Sequence, residues 1–558
     1  MIDRVEDNAW YSTVKRYTTR LVNIRSVSPG EGEIGLAEEI LRLLQENGLE
    51  DAYTAIGLDR LAHEPFGRQN VYAFLRGNTA RTLVLLGHFD TVDTRDYGVL
   101  EPYALDPEAL AERQTELAAM VPGLAEDLQA HPGDWMFGRG CADMKSGVAV
   151  NIALMRHFVE QARSGKLNLS ILMLATPDEE NESAGVIHGV RFLLDMRERY
   201  GLEYLGAINT DYVTALYPDD PHRYIFTGTI GKMLPSFYVV GRPSHVGDPF
   251  DGVDANLLAA ELIRDISMND ELCDEVRGQL TPPPVTLKFS DLKTSYDVQL
   301  PFAAYFYVNI LTFSTSPGEL LERLRNIAET SLRRFLHRLD ETEQRWLQRK
   351  GETRPVVGKK REGVVLTYQH LYEELCQQRG EQTVQDELRQ AWDSIPIGLD
   401  SRGRCLHLVR HLWTLSERTG PAVVLYFSPP FIPHVAETRC QLHEVVRKVA
   451  ERHPEHHLRV QEYFPFICDM SYLRLDPGIE TSAWVRNMPV WDDTTYRPGS
   501  YSLPLAAMEQ LGLPAIDLGP YGKGAHQAGE RVLLSYSFGV LPQLICEVIE
   551  GLAREQSA

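Results

Sequence analysis

Seven side chains in this sequence have types and settings suited to hydrolytic chemistry: His88, Asp90, Asp143, Glu179, Glu180, Asp211 and His526. Taken singly, each has a bland reading. His88 could be a hydrogen-bonded histidine at a strand end, and Asp143 the N-cap of the apolar helix after it. Glu179 and Glu180 could lie in a solvated loop, Asp211 in a turn and His526 in an exposed loop. Their shared placement argues against this. His88, Glu179 with Glu180, and Asp211 follow the apolar runs TLVLLG, LNLSILMLATP and AINT, which read as strands buried on both faces. The carboxyl edge of such a sheet is where ligands bind. In His88-Phe89-Asp90 the strand period of two puts both polar side chains on one side, so Asp90 can support the second ring nitrogen of His88.

Four or five carboxylates converging at one edge would repel one another unless a cation sat among them. Two divalent ions sharing a carboxylate account for the set. Asp143 bridges, His88 and Asp211 complete one position, and Glu180 and His526 complete the other. Each ion then has three protein ligands and room for a shared water. The mixture of imidazole and carboxylate suits zinc, with cobalt or manganese as alternatives. Glu179, beside a ligand but left over, is the natural general base.

The elements that must position these groups can be read from periodicity. Residues 12–48 hold two amphipathic helices around a Ser/Pro/Gly turn at Ser26–Gly32, followed by the strand VYAFLRG. SGVAVNIALMRHFVEQ has the apolar spacing of a helix, and AGVIHGVRFLLDMRERY that of another. Strand–helix alternation of this kind predicts an α/β catalytic domain with a mostly parallel central sheet. Near Thr229 the pattern changes to longer, aromatic-rich strands and a helix opened by Ser316 and Pro317, which predicts an inserted α+β domain. The expected division is 1–228 and 419–558 for the catalytic domain and 229–418 for the insertion, the helices at about 371–417 being assignable to neither on pattern alone. Asp340–Gly363, rich in charges of both signs, is expected on the surface, and MPVWDDTTYRPGS either lines a pocket or packs as a surface loop.

A chain of 558 residues is too long for one compact core. Its charge of −22 argues against nucleic acid or an anionic membrane as the main partner. Seven cysteines without paired spacing fit a reducing compartment, the start MIDRVEDNAWYSTVKRY lacks the apolar core of a secretory leader, and no apolar run would span a bilayer. A cytoplasmic location is the expectation.

With these residues assembled, the chain resembles the aminoacylase, succinyl-diaminopimelate desuccinylase and glutamate carboxypeptidase family of dinuclear zinc hydrolases. The resemblance is carried by LLGHFDTV, GRGCADMKSG, TPDEENESAG, NTDYV, GRPSHVGDPFDGVDAN and GPYGKGAHQAGERV, in the family's order over residues 83–532. It implies a zinc-peptidase-like catalytic domain with an inserted lid or dimerisation domain, the metal ligands already given, Glu179 as base and Asp90 as the residue orienting His88. It adds His245 in the insertion as a donor to the oxyanion of the tetrahedral intermediate, and a cis peptide between Asp143 and Met144. Where many relatives bind the substrate carboxylate with an arginine-bearing triplet, the matching triplet here is Asn309-Ile310-Leu311, which speaks against carboxypeptidase-like specificity. Within the family the chain is most like the longer branch named for arginine utilisation, the RocB type, through FPFICDMSYL, MPVWDDTTYRPGS and LGPYGKGAHQAGERV, and Asp469 resembles an acid of a loop near the site.

The expected function is hydrolysis of an amide or peptide bond in a small substrate, an N-acyl amino acid or dipeptide connected with arginine or ornithine catabolism, by metal-bound hydroxide with Glu179 as proton shuttle. Relatives either pair through the insertion as homodimers or fold as monomers. The competing reading is a metal-binding scaffold or regulatory protein that has lost catalysis. Such a descendant would be expected to lose its base first, yet Glu179 is present.

Overall fold

The computed structural model describes residues 9–62, 64–352, 361–476, 478–495 and 497–554. They fall into two units, one of residues up to Ile230, Val435–Asp476 and from Leu503 onward, the other of Gly231–His434 and the segment that ends at Ser502.

The first unit is built on an eight-stranded sheet in the order Ala55–Arg60, Gln69–Leu75, Ser170–Thr176, Arg81–His88, Glu203–Asn209, Ala515–Asp517, Arg223–Thr229 and Leu458–Phe464. Its middle is parallel: Arg81–His88 lies between Ser170–Thr176 and Glu203–Asn209, and Ala515–Asp517 runs with Glu203–Asn209. All eight residues of Arg81–His88 and all seven of Ser170–Thr176 are buried, as strands covered on both faces must be. The helix Lys145–Arg163 is buried around most of its circumference, and it packs so closely on the sheet that a Cβ at Gly147 would stand 1.9 Å from the Thr210 carbonyl oxygen. A small sheet of Gly522–Lys523, Arg531–Leu533 and Trp135–Phe137 ties the segment before Asp143 to the segment after His526. This mostly parallel α/β architecture is the expected one.

The second unit has a five-stranded sheet ordered Val285–Asp291, Ala303–Thr312, Gly231–Val240, Ala422–Ile432 and Val364–Thr367. Ala255–Ile266 and Pro317–Arg349 are among its helices, the latter opened by a capping box between Ser316 and Glu319. The helices Tyr368–Arg379, Glu381–Asp393 and Ser401–Leu415 belong here as well.

The division differs from the sequence expectation at two places. Ala422–Ile432 is the antiparallel neighbour of Gly231–Val240, so the return to the first unit comes after His434 instead of at 419, and the segment that ends at Ser502 also lies in the second unit. A fully buried apolar strand reads alike in either sheet, and only its pairing decides where it belongs. Of the charged stretch Asp340–Gly363, residues 353–360 lie outside the described residues, and Arg361 pairs with Asp340 and Glu343. Among the described residues no helix is long and apolar enough to cross a membrane.

Candidate metal centre

Parallel strands bring their carboxyl ends to one edge, and the chemistry collects there. His88 is the last residue of its strand, Glu179 and Glu180 follow Thr176, Asp211 follows Asn209, and Asp517 ends Ala515–Asp517. Asp143 arrives from the loop ahead of helix Lys145–Arg163, immediately before a cis Asp143–Met144 peptide, and His526 from the loop between Gly522–Lys523 and Arg531–Leu533.

Asp143 presents its two oxygens to different histidines. Oδ1 is 3.1 Å from His88 Nε2, and Oδ2 is 3.2 Å from His526 Nε2. His526 Nε2 also lies 2.9 Å from Glu180 Oε1. Two groups result, His88 with Asp143 and Asp211, and Asp143 with Glu180 and His526, the ligand atoms of each lying within 4.8 Å of one another. Glu179 Oε2 stands 3.9 Å from His88 Nε2. Asp90, fully buried, accepts the backbone N–H of Glu179 at Oδ1 and that of Glu180 at Oδ2, and its Oδ1 lies 3.4 Å from His88 Nδ1. One carboxylate thus fixes both glutamate peptides beside the imidazole.

The electrostatics match a place built for cations. Burial, with the Asp143 charge next, pushes Asp211 up to about 8 and Glu180 up to about 7. Burial also lifts the Glu179 carboxyl well above its ordinary value, with Glu180 adding to the rise. Burial would lower His526, but its bonds to Asp143 and Glu180 outweigh that and push it up to about 11. Burial opposes ionisation of Asp143, yet the His526 and His88 bonds hold its carboxyl below the usual range. Buried acids that repel one another, facing imidazole nitrogens, form a donor set that fits two divalent ions.

His245 lies in the second unit, exposed in the loop after Gly231–Val240, where its Nδ1 accepts the Gly247 N–H. Asn309-Ile310-Leu311 lies within strand Ala303–Thr312 of that unit and carries no cation.

Three buried acids escaped the sequence reading. Asp517 Oδ1 accepts the Asp211 N–H at 3.1 Å. Glu530 Oε1 accepts the N–H groups of Ala142 and Asp143, while its Oε2 takes Arg139 Nη1 at 2.9 Å. Asp178 has a φ of 73°, and its Oδ1 accepts from Ser28 and Arg68 and its Oδ2 from the Ala184 N–H. Glu530 and Asp178 stand inside sequence blocks quoted above, Glu530 as a single acid and Asp178 beside Glu179 and Glu180, with no periodicity to mark either. Asp469, expected near the site, accepts Thr176 Oγ1 at 2.8 Å, and burial pushes it up to about 7.

A family profile described as peptidase family M20/M25/M40 matches residues 120–480. The chain is 32% identical over 548 residues to the uncharacterized protein YqjN of Bacillus subtilis strain 168, covering 97% of this chain and 96% of that one. It is 31% identical over 549 residues to Protein RocB of the same strain, covering 95% and 93%. Among solved structures it matches the Bacillus subtilis YXEP protein, described as a dinuclear metal binding peptidase from the M20 family, at a TM-score of 0.50 and 12% identity over 99% of this chain and 100% of that one, a likeness of fold. The profile spans more than half of the sequence and the two relatives nearly all of it, so the chain belongs to peptidase family M20/M25/M40 and is a metallopeptidase.

Proposed function

We propose that this chain hydrolyses the amide or peptide bond of a small substrate, an N-acyl amino acid or a dipeptide, at a two-metal centre. His88, Asp143 and Asp211 would hold one ion and Asp143, Glu180 and His526 the other. The observation that carries the reading is the split of Asp143, one oxygen toward each histidine, with the leftover acid Glu179 beside them. When bound, the ions polarise the carbonyl and acidify water. Zinc suits the donors, and cobalt or manganese would be accepted by the same set.

Glu179 takes the proton of the attacking water on its carboxylate and returns it to the leaving amine. Its burial raises its proton affinity toward that task. Asp90 orients His88 and pins the Glu179 and Glu180 peptides, so the base cannot swing away from the ligands. His245 is assigned to the oxyanion, where one donor is typically worth about 10²–10³ in rate. The triplet Asn309-Ile310-Leu311 offers no guanidinium to a substrate carboxylate, which speaks against carboxypeptidase-like specificity. Similarity to Protein RocB over nearly the whole chain supports arginine or ornithine as the amino-acid part. All seven cysteines are free in the fold, which supports a reducing compartment, here read as the cytoplasm.

The test is a panel of N-acyl-ornithines, N-acyl-arginines, dipeptides and casein, given to metal-loaded wild type and to Glu179→Gln. Hydrolysis of a small substrate by wild type, reduced by about 10²–10⁴ in the variant, is expected. Turnover that survives in Glu179→Gln would remove the base, and digestion of casein would remove the restriction to small substrates. A metal-loaded wild type inert toward the whole panel would favour the scaffold reading.

A further inference from the structure

The sequence MPVWDDTT, which the hydrolytic reading leaves unused, forms part of the wall of a pocket of about 550 Å³ within the second unit. The remaining walls come mainly from helices Tyr368–Arg379 and Glu381–Asp393. We propose that this pocket is a second ligand site, one that takes a small organic anion joining a carboxylate or phosphate to a flat ring.

Size and rigidity come first. Pockets that bury small molecules run from about 300 to 1,000 Å³. Tyr372, Trp392 and Trp491 supply the flat apolar surfaces. Trp491 is fixed in place: its ring meets Trp484 edge-on at 5.1 Å between centroids, and Trp484 stacks on Phe431 at 4.6 Å. The backbone on either side is tied to Tyr501, whose N–H donates to the Val490 carbonyl at 3.0 Å and whose carbonyl accepts the Asp492 N–H at 3.2 Å. An aromatic wall held this way loses little freedom when a ring stacks on it.

Charge decides the class of ligand. Three guanidinium groups line the pocket, those of Arg389, Arg486 and Arg497, against the carboxylates of Glu373 and Asp492. Both acids keep their negative charge but direct oxygens to neighbours in their own segments. Asp492 accepts the N–H groups of Thr494, Thr495 and Arg497 and the hydroxyls of both threonines, so it shapes its own loop. Its nearest approach to the Arg497 guanidinium is 3.9 Å, longer than a hydrogen bond. Glu373 accepts Gln369 Nε2 at 2.7 Å. Arg389 pairs with Asp386 at 2.9 Å, but both side chains are about half exposed (50% and 48%), where water and salt weaken the pair. The Arg486 side chain forms no ion pair or hydrogen bond among the described residues. Three guanidinium groups against two carboxylates leave a positive excess, which selects carboxylate or phosphate gripped in two-pronged fashion. The aromatic walls select the ring.

The experiment titrates AMP and indole-3-propionate into the full chain, by calorimetry and tryptophan fluorescence, with adenosine, inorganic phosphate and L-argininamide as single-feature controls. At least one ring-bearing anion is expected to saturate, and to bind roughly tenfold or more tightly than adenosine or phosphate alone. Comparing AMP with indole-3-propionate separates a phosphate ligand from a carboxylate one. Arg486→Gln, an exposed position whose change the fold should tolerate, and Arg497→Gln should each weaken binding roughly tenfold. Glu179→Gln should leave it unchanged, which separates this site from the hydrolytic one. Failure of both anions to saturate, affinity indifferent to the arginine variants, or tighter binding of L-argininamide would each overturn the proposal.

Discussion

Asp517 forms no ion pair with a histidine among the described residues, yet its Oδ1 holds the backbone N–H of Asp211 and receives Asn209 Nδ2 at 3.4 Å. Replacing Asp517 with Ala leaves a buried N–H unpaired and frees the Asp211 peptide to rotate. Metal affinity at the His88–Asp211 position should then fall by about 10–100-fold, as for other residues that orient ligands. Competition with a chelating dye measures this, and an affinity equal to wild type would show that Asp211 is held by something else. At this scale residue type with strand-end position marked His88, Glu180 and Asp211, whereas Asp143 and His526 lie in loops and were picked out by residue type and by the need to complete two ligand sets. His88, Asp143, Glu180, Asp211 and His526 fall into the two expected groups, and Asp90 and Glu179 stand beside them. The supporting acids were not legible. A lone Asp or Glu within a loop gives no signal until the backbone N–H it receives can be seen, as with Glu530 beneath Ala142 and Asp143.

Helix Lys145–Arg163 carries Asp143 into place, and its tight seat on the sheet depends on Gly147. A methyl group there would collide with the Thr210 carbonyl, one residue before Asp211, and force helix and strand end apart. Gly147→Ala should therefore lower stability by roughly 1–3 kcal/mol and disturb both metal positions together. Urea denaturation and metal content of the same preparation decide this. A variant as stable and as metal-loaded as wild type would mean that the close approach is easily relieved. The elements themselves were readable. Apolar runs stopped by turn residues gave Arg81–His88 and Ser170–Thr176, and a Ser-Pro start gave helix Pro317–Arg349. The register that puts Asp517 beside Asp211 was hidden, because Ala515–Asp517 is three residues long and its partner lies some 300 positions earlier.

Across the whole molecule the proposed metal site links folding to pH. In the metal-free fold Glu180 titrates at about 7 and Asp211 at about 8, both raised first by burial, whereas in the unfolded chain they titrate near 4. Between those values the folded state holds protons that the unfolded state releases, so stability falls as pH rises from about 4 through about 8. His526, raised to about 11, extends the loss with the same sign. Asp143, held below the usual range, acts only at lower pH and in the opposite direction. Chelator-treated protein should thus melt at lower temperature as pH rises over this window, while metal-loaded protein should not, because bound ions replace the displaced protons. Parallel pH trends for the two forms would show that these acids are not coupled to the metal. The first unit gives way to the second at Ile230–Gly231, beside the change of pattern read near Thr229, whereas the return after His434 gave no signal, since Ala422–Ile432 would be equally apolar in either sheet. The two-metal assignment is tested most directly by the metal content of wild type, Glu179→Gln and Asp143→Ala, purified without chelator and measured by elemental analysis. About two divalent ions per chain are expected in wild type and Glu179→Gln, and a loss at both positions in Asp143→Ala. A wild type without divalent metal, or an Asp143→Ala variant loaded like wild type, would contradict that assignment.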